Sequence, residues 1–284
     1  MALAQVISCK ELSKQLNDKN LIIFDCRFSL DNPHYGKQAY QESHIENAIF
    51  IDLDLDLSSH VIKGKTSRHP LPNTDKLIAK LAALGLNNNS RVIIYDDGAT
   101  PFATKMWWTL VWLGKRDNVY LLDGGFKAWQ ADNLPVTNKE TMTSAGNFTG
   151  QPDANLLIDA KTLVTKLNDE QLTLLDARAL PRFRGEVEPM DPIAGHIPGA
   201  TCANFAENLD DTGHFLPTKE LRERFQTLIQ DKPIEKLIAY CGSGVSACHN
   251  LFAMCLAGYP LAPLYAGSWS EWITDPSHPI ATGN

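Results

Sequence analysis

The chain repeats itself. Ile22-Ile23-Phe24-Asp25-Cys26-Arg27 returns as Leu174-Leu175-Asp176-Ala177-Arg178, and Ser43-His44-Ile45-Glu46-Asn47-Ala48 returns as Gly195-His196-Ile197-Pro198-Gly199-Ala200. Arg91-Val92-Ile93-Ile94-Tyr95-Asp96 returns as Lys236-Leu237-Ile238-Ala239-Tyr240-Cys241, and Gly125-Phe126-Lys127-Ala128-Trp129 as Ser268-Trp269-Ser270-Glu271-Trp272. Four matches keep the same order at a spacing of 143–152 residues. Solenoid repeats are far shorter, roughly 20–50 residues, so the sequence implies two copies of one domain. A length of 284 residues agrees, since one domain takes roughly 100–200. Residues 133–155 are rich in Thr, Asn, Gly and Pro and carry no sustained apolar period, which is the composition of a linker. The join is placed at Gly146, giving domains 1–145 and 146–284.

Short apolar runs alternate with amphipathic stretches in each copy. Residues 21–25, 92–95 and 119–122 read as buried strands, with 174–176, 237–240 and 264–265 as their second-copy partners. Helical patterns run over 75–84, 219–229 and 246–257; the first opens on a capping Asn73-Thr74-Asp75 and stops at Gly85. This alternation predicts an α/β fold, each copy a mainly parallel sheet flanked by helices. Ligands of such sheets bind at the carboxyl ends of the strands, so the residues just after each apolar run carry the functional interest.

Charge narrows the partners. Lys and Arg total 26 against 33 Asp and Glu, for a net charge of −7, which argues against a nucleic-acid partner. No apolar run approaches the ~18 residues of a membrane span, and Met1–Asn20 lacks the pattern of a secretory signal. A cytoplasmic protein with no membrane partner is expected. The six cysteines, at 9, 26, 202, 241, 248 and 255, are sparse and include no Cys-x-x-Cys pair. They read as free thiols, with no metal site.

One of them stands apart. The strand ending at Tyr240 runs into Cys241-Gly242-Ser243-Gly244-Val245-Ser246-Ala247, and a helix pattern follows. Gly242 and Gly244 permit backbone shapes barred to other residues. The loop can then turn the amides of Gly242, Ser243, Gly244, Val245, Ser246 and Ala247 inward around the sulfur. An amide nest at a helix start favours an anion, and so a thiolate or whatever negative group the sulfur acquires. The other five cysteines read as small packing residues. Two chemistries fit Cys241: phosphoester hydrolysis through a cysteinyl phosphate, and sulfur transfer through a persulfide. A Cys-x5-Arg phosphatase loop wants arginine where Ala247 stands, which disfavours the first. The first copy carries Asp96 at the place of Cys241, and a carboxylate cannot carry a sulfane sulfur, so that half is expected to be catalytically silent.

With its two Asp-x-Arg strand ends, Gly195-His196-Ile197-Pro198-Gly199-Ala200, the Cys241 loop and Gly267-Ser268-Trp269-Ser270-Glu271-Trp272, the sequence resembles the tandem rhodanese sulfurtransferases, which act on thiosulfate or 3-mercaptopyruvate. The resemblance spans Leu21 to Trp272. It implies two rhodanese domains with the active cysteine only in the second. It also implies a persulfide relay on Cys241 from a small-molecule donor to a thiol or cyanide acceptor, without metal or organic cofactor. His69, in Ser67-Arg68-His69-Pro70, matches a histidine near the active cleft of the mercaptopyruvate enzymes. Ser243, two after the cysteine, matches the uncharged loop of that type, where a hydroxyl can bond the sulfur or relay a proton. Arg182 matches a substrate-binding arginine. A second such arginine is missing, with Met190 standing near its place and Arg184 as a possible substitute. Mercaptopyruvate is the favoured donor. Thiosulfate as the main donor, a cysteine phosphatase and a non-catalytic persulfide carrier are the alternatives, and Asp176 with Arg178 reads as a structural pair.

Overall fold

The computed structural model describes residues 2–284. Two compact units divide them. One comprises the chain through Ser59 with Leu71–Asp153 and Leu209–Phe215; the other comprises His60–Pro70, Ala154–Asn208 and Leu216–Asn284. Each unit therefore borrows one segment from the other half of the sequence.

In the first unit the order is β1 (Val6–Ile7), α1 (Cys9–Ser13), β2 (Leu21–Asp25), α2 (Tyr35–Glu42), β3 (His44–Ile45), β4 (Ala48–Phe50), α3 (Thr74–Ala83), β5 (Arg91–Tyr95), α4 (Phe102–Trp112), β6 (Val119–Leu122), α5 (Gly125–Ala131) and β7 (Val136–Thr137). Five strands form a parallel sheet in the order β1-β6-β5-β2-β4. The expected cap of α3 is present, with the Asn73 side chain accepting from Lys76 N, and Gly85 follows the helix at φ +98. Every residue of α4 is buried, Thr104, Lys105 and Thr109 included.

The second unit runs α6 (Ala160–Lys166), β8 (Thr173–Asp176), α7 (Leu180–Phe183), β9 (Ala200–Cys202), α8 (Thr218–Ile229), β10 (Leu237–Tyr240), α9 (Ser246–Leu256) and α10 (Ser268–Trp272). Its sheet is β10-β8-β9. Residues 264–265, expected as a strand, are reduced to single parallel bridges from Leu264 to Ala239 and to Leu157. These bridges continue the sheet in the same order as the first unit. Pro260 and Pro263 precede this segment and lack the N–H that a ladder extended toward them would need.

The linker lies elsewhere than expected. Phe148 is buried, and Gly146, Phe148, Gln151 and Asp153 donate backbone bonds to Ala82, Leu86, Leu113 and Trp112. These eight residues complete the first unit, and the boundary falls between Asp153 and Ala154.

The repeat extends to individual hydrogen bonds. Arg27 grips Asp25 through Nε and Nη2 and donates to Ser43 O; Arg178 grips Asp176 in the same way and donates to Gly195 O. Tyr95 Oη donates to Asp25 at 2.7 Å and accepts from Ile45 N; Tyr240 Oη accepts from Ile197 N. His44 stacks on Tyr40 and His196 on Phe183, each ring centroid 3.8 Å from its partner. Trp129 and Trp272 donate to Pro135 O and Pro279 O. The conspicuous sequence motifs are thus the polar frame of each unit, and both Asp–Arg pairs are buried.

Candidate active site

β10 ends at Tyr240, and the next residues form the loop 241–245 that feeds α9. Cys241 is 2 % exposed, so the thiol lies inside the unit and not at its surface. Its N–H donates to Ser268 Oγ at 3.0 Å, while its carbonyl accepts from Trp269 N and that of Gly242 from Ser270 N. Cys248 N bonds to Val245 O. Between these two fixed points, the amides of Gly242, Ser243, Gly244, Val245, Ser246 and Ala247 donate to no acceptor among the described residues. No side chain caps α9 at Val245. Uncapped N–H groups at the head of a buried helix attract negative charge.

The two glycines act differently from each other. Gly244 has φ +75, and a Cβ there would stand 2.5 Å from Ala266 O; this position needs glycine for its backbone. Gly242 lies outside the left-handed region. A Cβ on it would stand 2.7 Å from Arg68 Nη2 and 3.7 Å from Arg182 Nη1 and Nη2. Glycine at 242 makes room for two guanidinium groups, and the expectation of a special backbone at both positions is corrected to Gly244 alone.

Arg68 was not singled out by the sequence reading. It belongs to His60–Pro70, the segment of the first sequence half that packs into the second unit. Arg68 N donates to Ser270 Oγ at 3.1 Å, which fastens this segment to α10. The next residue, His69, is buried, with Nδ1 2.7 Å from Ser243 Oγ. Arg182, at the end of α7, donates to Glu188 through Nε (3.2 Å) and Nη2 (2.7 Å) and is 3.4 Å from Asp191 Oδ2. Asp191 also pairs with Arg68 through Oδ1. Glu188 further accepts from Met190 N and Asp191 N and is 3.4 Å from Arg178.

Cys241, Gly242, Ser243, His69, Arg68 and Arg182 thus share one neighbourhood. Arg184 does not join it, because Asn284 Oδ1 (2.7 Å) and Glu186 (3.8 Å) hold its guanidinium. The second cation comes from Arg68 instead, and the only signal for it was its place beside His69. Nothing in the sequence around Glu188 and Asp191 signals that their charges face inward. The remaining thiols at 9, 26, 248 and 255 are buried, whereas Cys202 is half-buried with Sγ 3.5 Å from Arg178 O. Burial pushes the Cys202 thiol up to about 11.

The first unit shows what its own copy of this loop does with an anion. Asp96 follows β5 as Cys241 follows β10. Its carboxylate accepts from Gly98 N and Ala103 N, both at 2.9 Å. A carboxylate thus fills the amide nest of the first copy. Burial outweighs these donors and raises Asp96 to about 6 from 3.8. A carboxyl group raised in the fold binds its proton more tightly there than in the unfolded chain. Its contribution is therefore favourable at low pH and is lost as pH climbs from about 4 through about 6. At ~1.4 kcal/mol per pH unit of displacement, the loss is roughly 3 kcal/mol. Asp96→Asn should lack this component, so the stability difference between variant and wild type, followed by denaturant unfolding, should change in the variant's favour between pH 4 and 6.5. Parallel pH profiles would show that Asp96 is not held with a raised affinity for its proton.

Comparison with known proteins agrees with this geometry. The sequence matches the Rhodanese-like domain twice, over residues 8–132 and 159–275. The chain belongs to the rhodanese family. Within it, the two matches place the chain among the tandem-domain sulfurtransferases. It is 57 % identical over 284 residues to a protein of Pseudomonas aeruginosa named "Probable 3-mercaptopyruvate sulfurtransferase", covering 100 % of both chains. It is 32 % identical to "Thiosulfate/3-mercaptopyruvate sulfurtransferase 1, mitochondrial" of Arabidopsis thaliana, covering 97 % of this chain and 77 % of that one. The crystal structure of SseA from Escherichia coli, described as a 3-mercaptopyruvate sulfotransferase, superposes with a TM-score of 0.81 at 28 % identity, over 94 % of this chain and 100 % of that one. Among the described residues, no helix is long and apolar enough to cross a membrane.

Proposed function

We propose that the chain takes the sulfur of 3-mercaptopyruvate onto Cys241 and passes it to a thiol or to cyanide. The Cys241 thiolate attacks the donor sulfur, forming the S–S bond of a persulfide as the C–S bond breaks. The electron pair of that bond leaves with the carbon as the enolate of pyruvate, which then takes up a proton. An acceptor thiolate next attacks the outer sulfur, and the electron pair of the broken S–S bond returns to Cys241. The six unpartnered amides of residues 242–247 stabilise the charge that develops on the sulfur pair, as preorganised donors do elsewhere. The Ser243 hydroxyl, bonded to His69, is placed to hand a proton to the leaving carbon.

The observation that carries the choice of donor is the convergence of Arg68 and Arg182 on Gly242. Two planar forks beside the nucleophile suit a planar carboxylate. The name of the Pseudomonas relative supports the same donor, and that of the Arabidopsis relative gives both. Silence of the first copy, with domain one contributing its segment 60–70 to the working unit, belongs to this reading. So does a reducing, cytoplasmic setting, because the nucleophile works only as a thiol and all six cysteines are free. Arg182→Ala should lower kcat/KM for mercaptopyruvate by about ten- to a hundredfold, the worth of one charge-assisted contact, and lower it less for thiosulfate, which has no carboxylate. Equal losses with both donors, or a wild-type preference for thiosulfate, would transfer the assignment to thiosulfate as donor.

A further inference from the structure

The two arginines that face the Cys241 loop are not bare cations. One carboxylate, that of Asp191, lies between them, with Oδ1 on Arg68 and Oδ2 3.4 Å from Arg182. Its side chain is only 4 % exposed, whereas those of Arg68 and Arg182 are 25 % and 18 % exposed. Asp191 is thus the inner member of the cluster, with solvent on the arginine side. Glu188, equally buried, takes the Nε–Nη2 edge of Arg182 and touches Arg178. Counted as formal charges, Arg68 and Arg182 are cancelled by Glu188 and Asp191, and Arg178 by Asp176.

Glu188 and Asp191 serve different ends. Glu188 is tied to two arginines and two backbone amides, so it is part of the frame. Asp191 has a simpler set of partners: its carboxylate reaches the two substrate-facing guanidinium groups, Arg68 through one oxygen and Arg182 through the other. It stands where the carboxylate of a donor would also gain by standing, one oxygen toward each fork. The guanidinium edges left over, on the partly exposed side chains of Arg68 and Arg182, remain for the donor.

We propose that Asp191 is a specificity-determining residue, whose carboxylate offsets one unit of the cationic charge of Arg68 and Arg182 and so biases the site toward singly charged sulfur donors over dianionic ones. The inference rests on the reading of these arginines as the donor site. Mercaptopyruvate carries one negative charge on its carboxylate at neutral pH, while thiosulfate carries two. In a partly buried site an added unit of charge a few ångströms away is felt strongly, and a fixed carboxylate there opposes the dianion more than the monoanion. Met190, the neighbouring residue, adds no positive charge to restore the balance.

The experiment is steady-state kinetics of full-length wild type and Asp191→Asn with both donors, at low and at high salt. Asparagine keeps the shape and one acceptor oxygen while removing the charge. KM for thiosulfate should fall about tenfold, KM for mercaptopyruvate by no more than about threefold, and the thiosulfate gain should shrink as salt screens it. A residue that merely held Arg68 in place would instead lower kcat with both donors and leave the ratio of their KM values unmoved; that result overturns the proposal. Asp191→Ser supplies a second arm if Asp191→Asn fails to fold. It removes the same charge and should lower the ratio of the thiosulfate KM to the mercaptopyruvate KM at least about threefold, with an unmoved ratio counting against the proposal. Wild-type protein that moves sulfur from neither donor would refute the donor-site reading itself, and the role of Asp191 with it. Normal wild-type transfer with an unchanged donor ratio in both variants would refute only the latter.

Discussion

Replacing Cys241 with serine should reduce sulfur transfer to the background of the assay, a loss of at least about 10⁴-fold, as expected when a covalent nucleophile is removed. Serine preserves the loop. The Cys241 N–H to Ser268 bond and the Trp269 and Ser270 bonds to the loop carbonyls do not involve the sulfur, so the variant should fold and unfold as wild type does. The hydroxyl cannot accept a sulfane sulfur and remain a leaving group for the next attack. Changing Cys9, Cys26, Cys202, Cys248 or Cys255 singly to serine or alanine should keep transfer, since none of them follows a strand into an amide-lined loop. Measurable turnover in Cys241→Ser would remove the persulfide from the mechanism.

The second large effect is on stability. Asp176 lies at the end of the central strand β8 and is fully buried. It accepts from Arg178 N at 3.0 Å, from Nε and from Nη2, and its carboxylate faces Tyr240. Asp176→Ala would leave the Arg178 guanidinium, 2 % exposed, with its main counter-ion gone and only Gly195 O and the more distant Glu188 in reach. Breaking one side of a buried pair costs about 3–5 kcal/mol, a large share of the stability of any domain. Asp25→Ala should destabilise the first unit to a similar degree, because Asp25 holds Arg27 and Tyr95 in the same way. The two variants should differ in one respect: at temperatures where both remain folded, Asp176→Ala should depress transfer more, since Arg178 also braces Glu188 behind Arg182. Denaturant titrations of both variants would check the paired losses, and a cost below about 1 kcal/mol in either would show that the polar frame is not what holds the unit.

The sequence carried the repeat, the strand-end positions and the special standing of Cys241, because all of these are local. Asp-x-Arg is a contact between residues two apart, and a cysteine between a strand and a glycine-rich helix start can be read off one stretch. What escaped was whatever depends on chain segments meeting from afar. Arg68 reaches Gly242 from 174 positions away, and no periodicity connects the two. The missing second arginine was sought near Met190, in sequence register with Arg182, whereas space is filled by the crossing segment 60–70. Glu188 and Asp191 look like solvated surface charges in the sequence because neighbouring Glu186 and Val187 are exposed. Gly242 and Gly244 are chemically identical, and only the coordinates separate a need for room from a need for positive φ. Residues 264–265 are reduced to bridges beside Pro263, which has no N–H to give a ladder, a loss that an apolar run alone does not reveal.

The most direct measurement is the mass of the donor-treated protein. Full-length protein would be incubated with 3-mercaptopyruvate without acceptor, digested, and the cysteine peptides weighed, with released pyruvate measured alongside. The account predicts that the Cys241 peptide alone gains the mass of one sulfur atom, that one pyruvate appears for each persulfide formed, and that added cyanide removes the sulfur as thiocyanate. Release of pyruvate with an unmodified Cys241 peptide, or a sulfur gained on another cysteine, would contradict it.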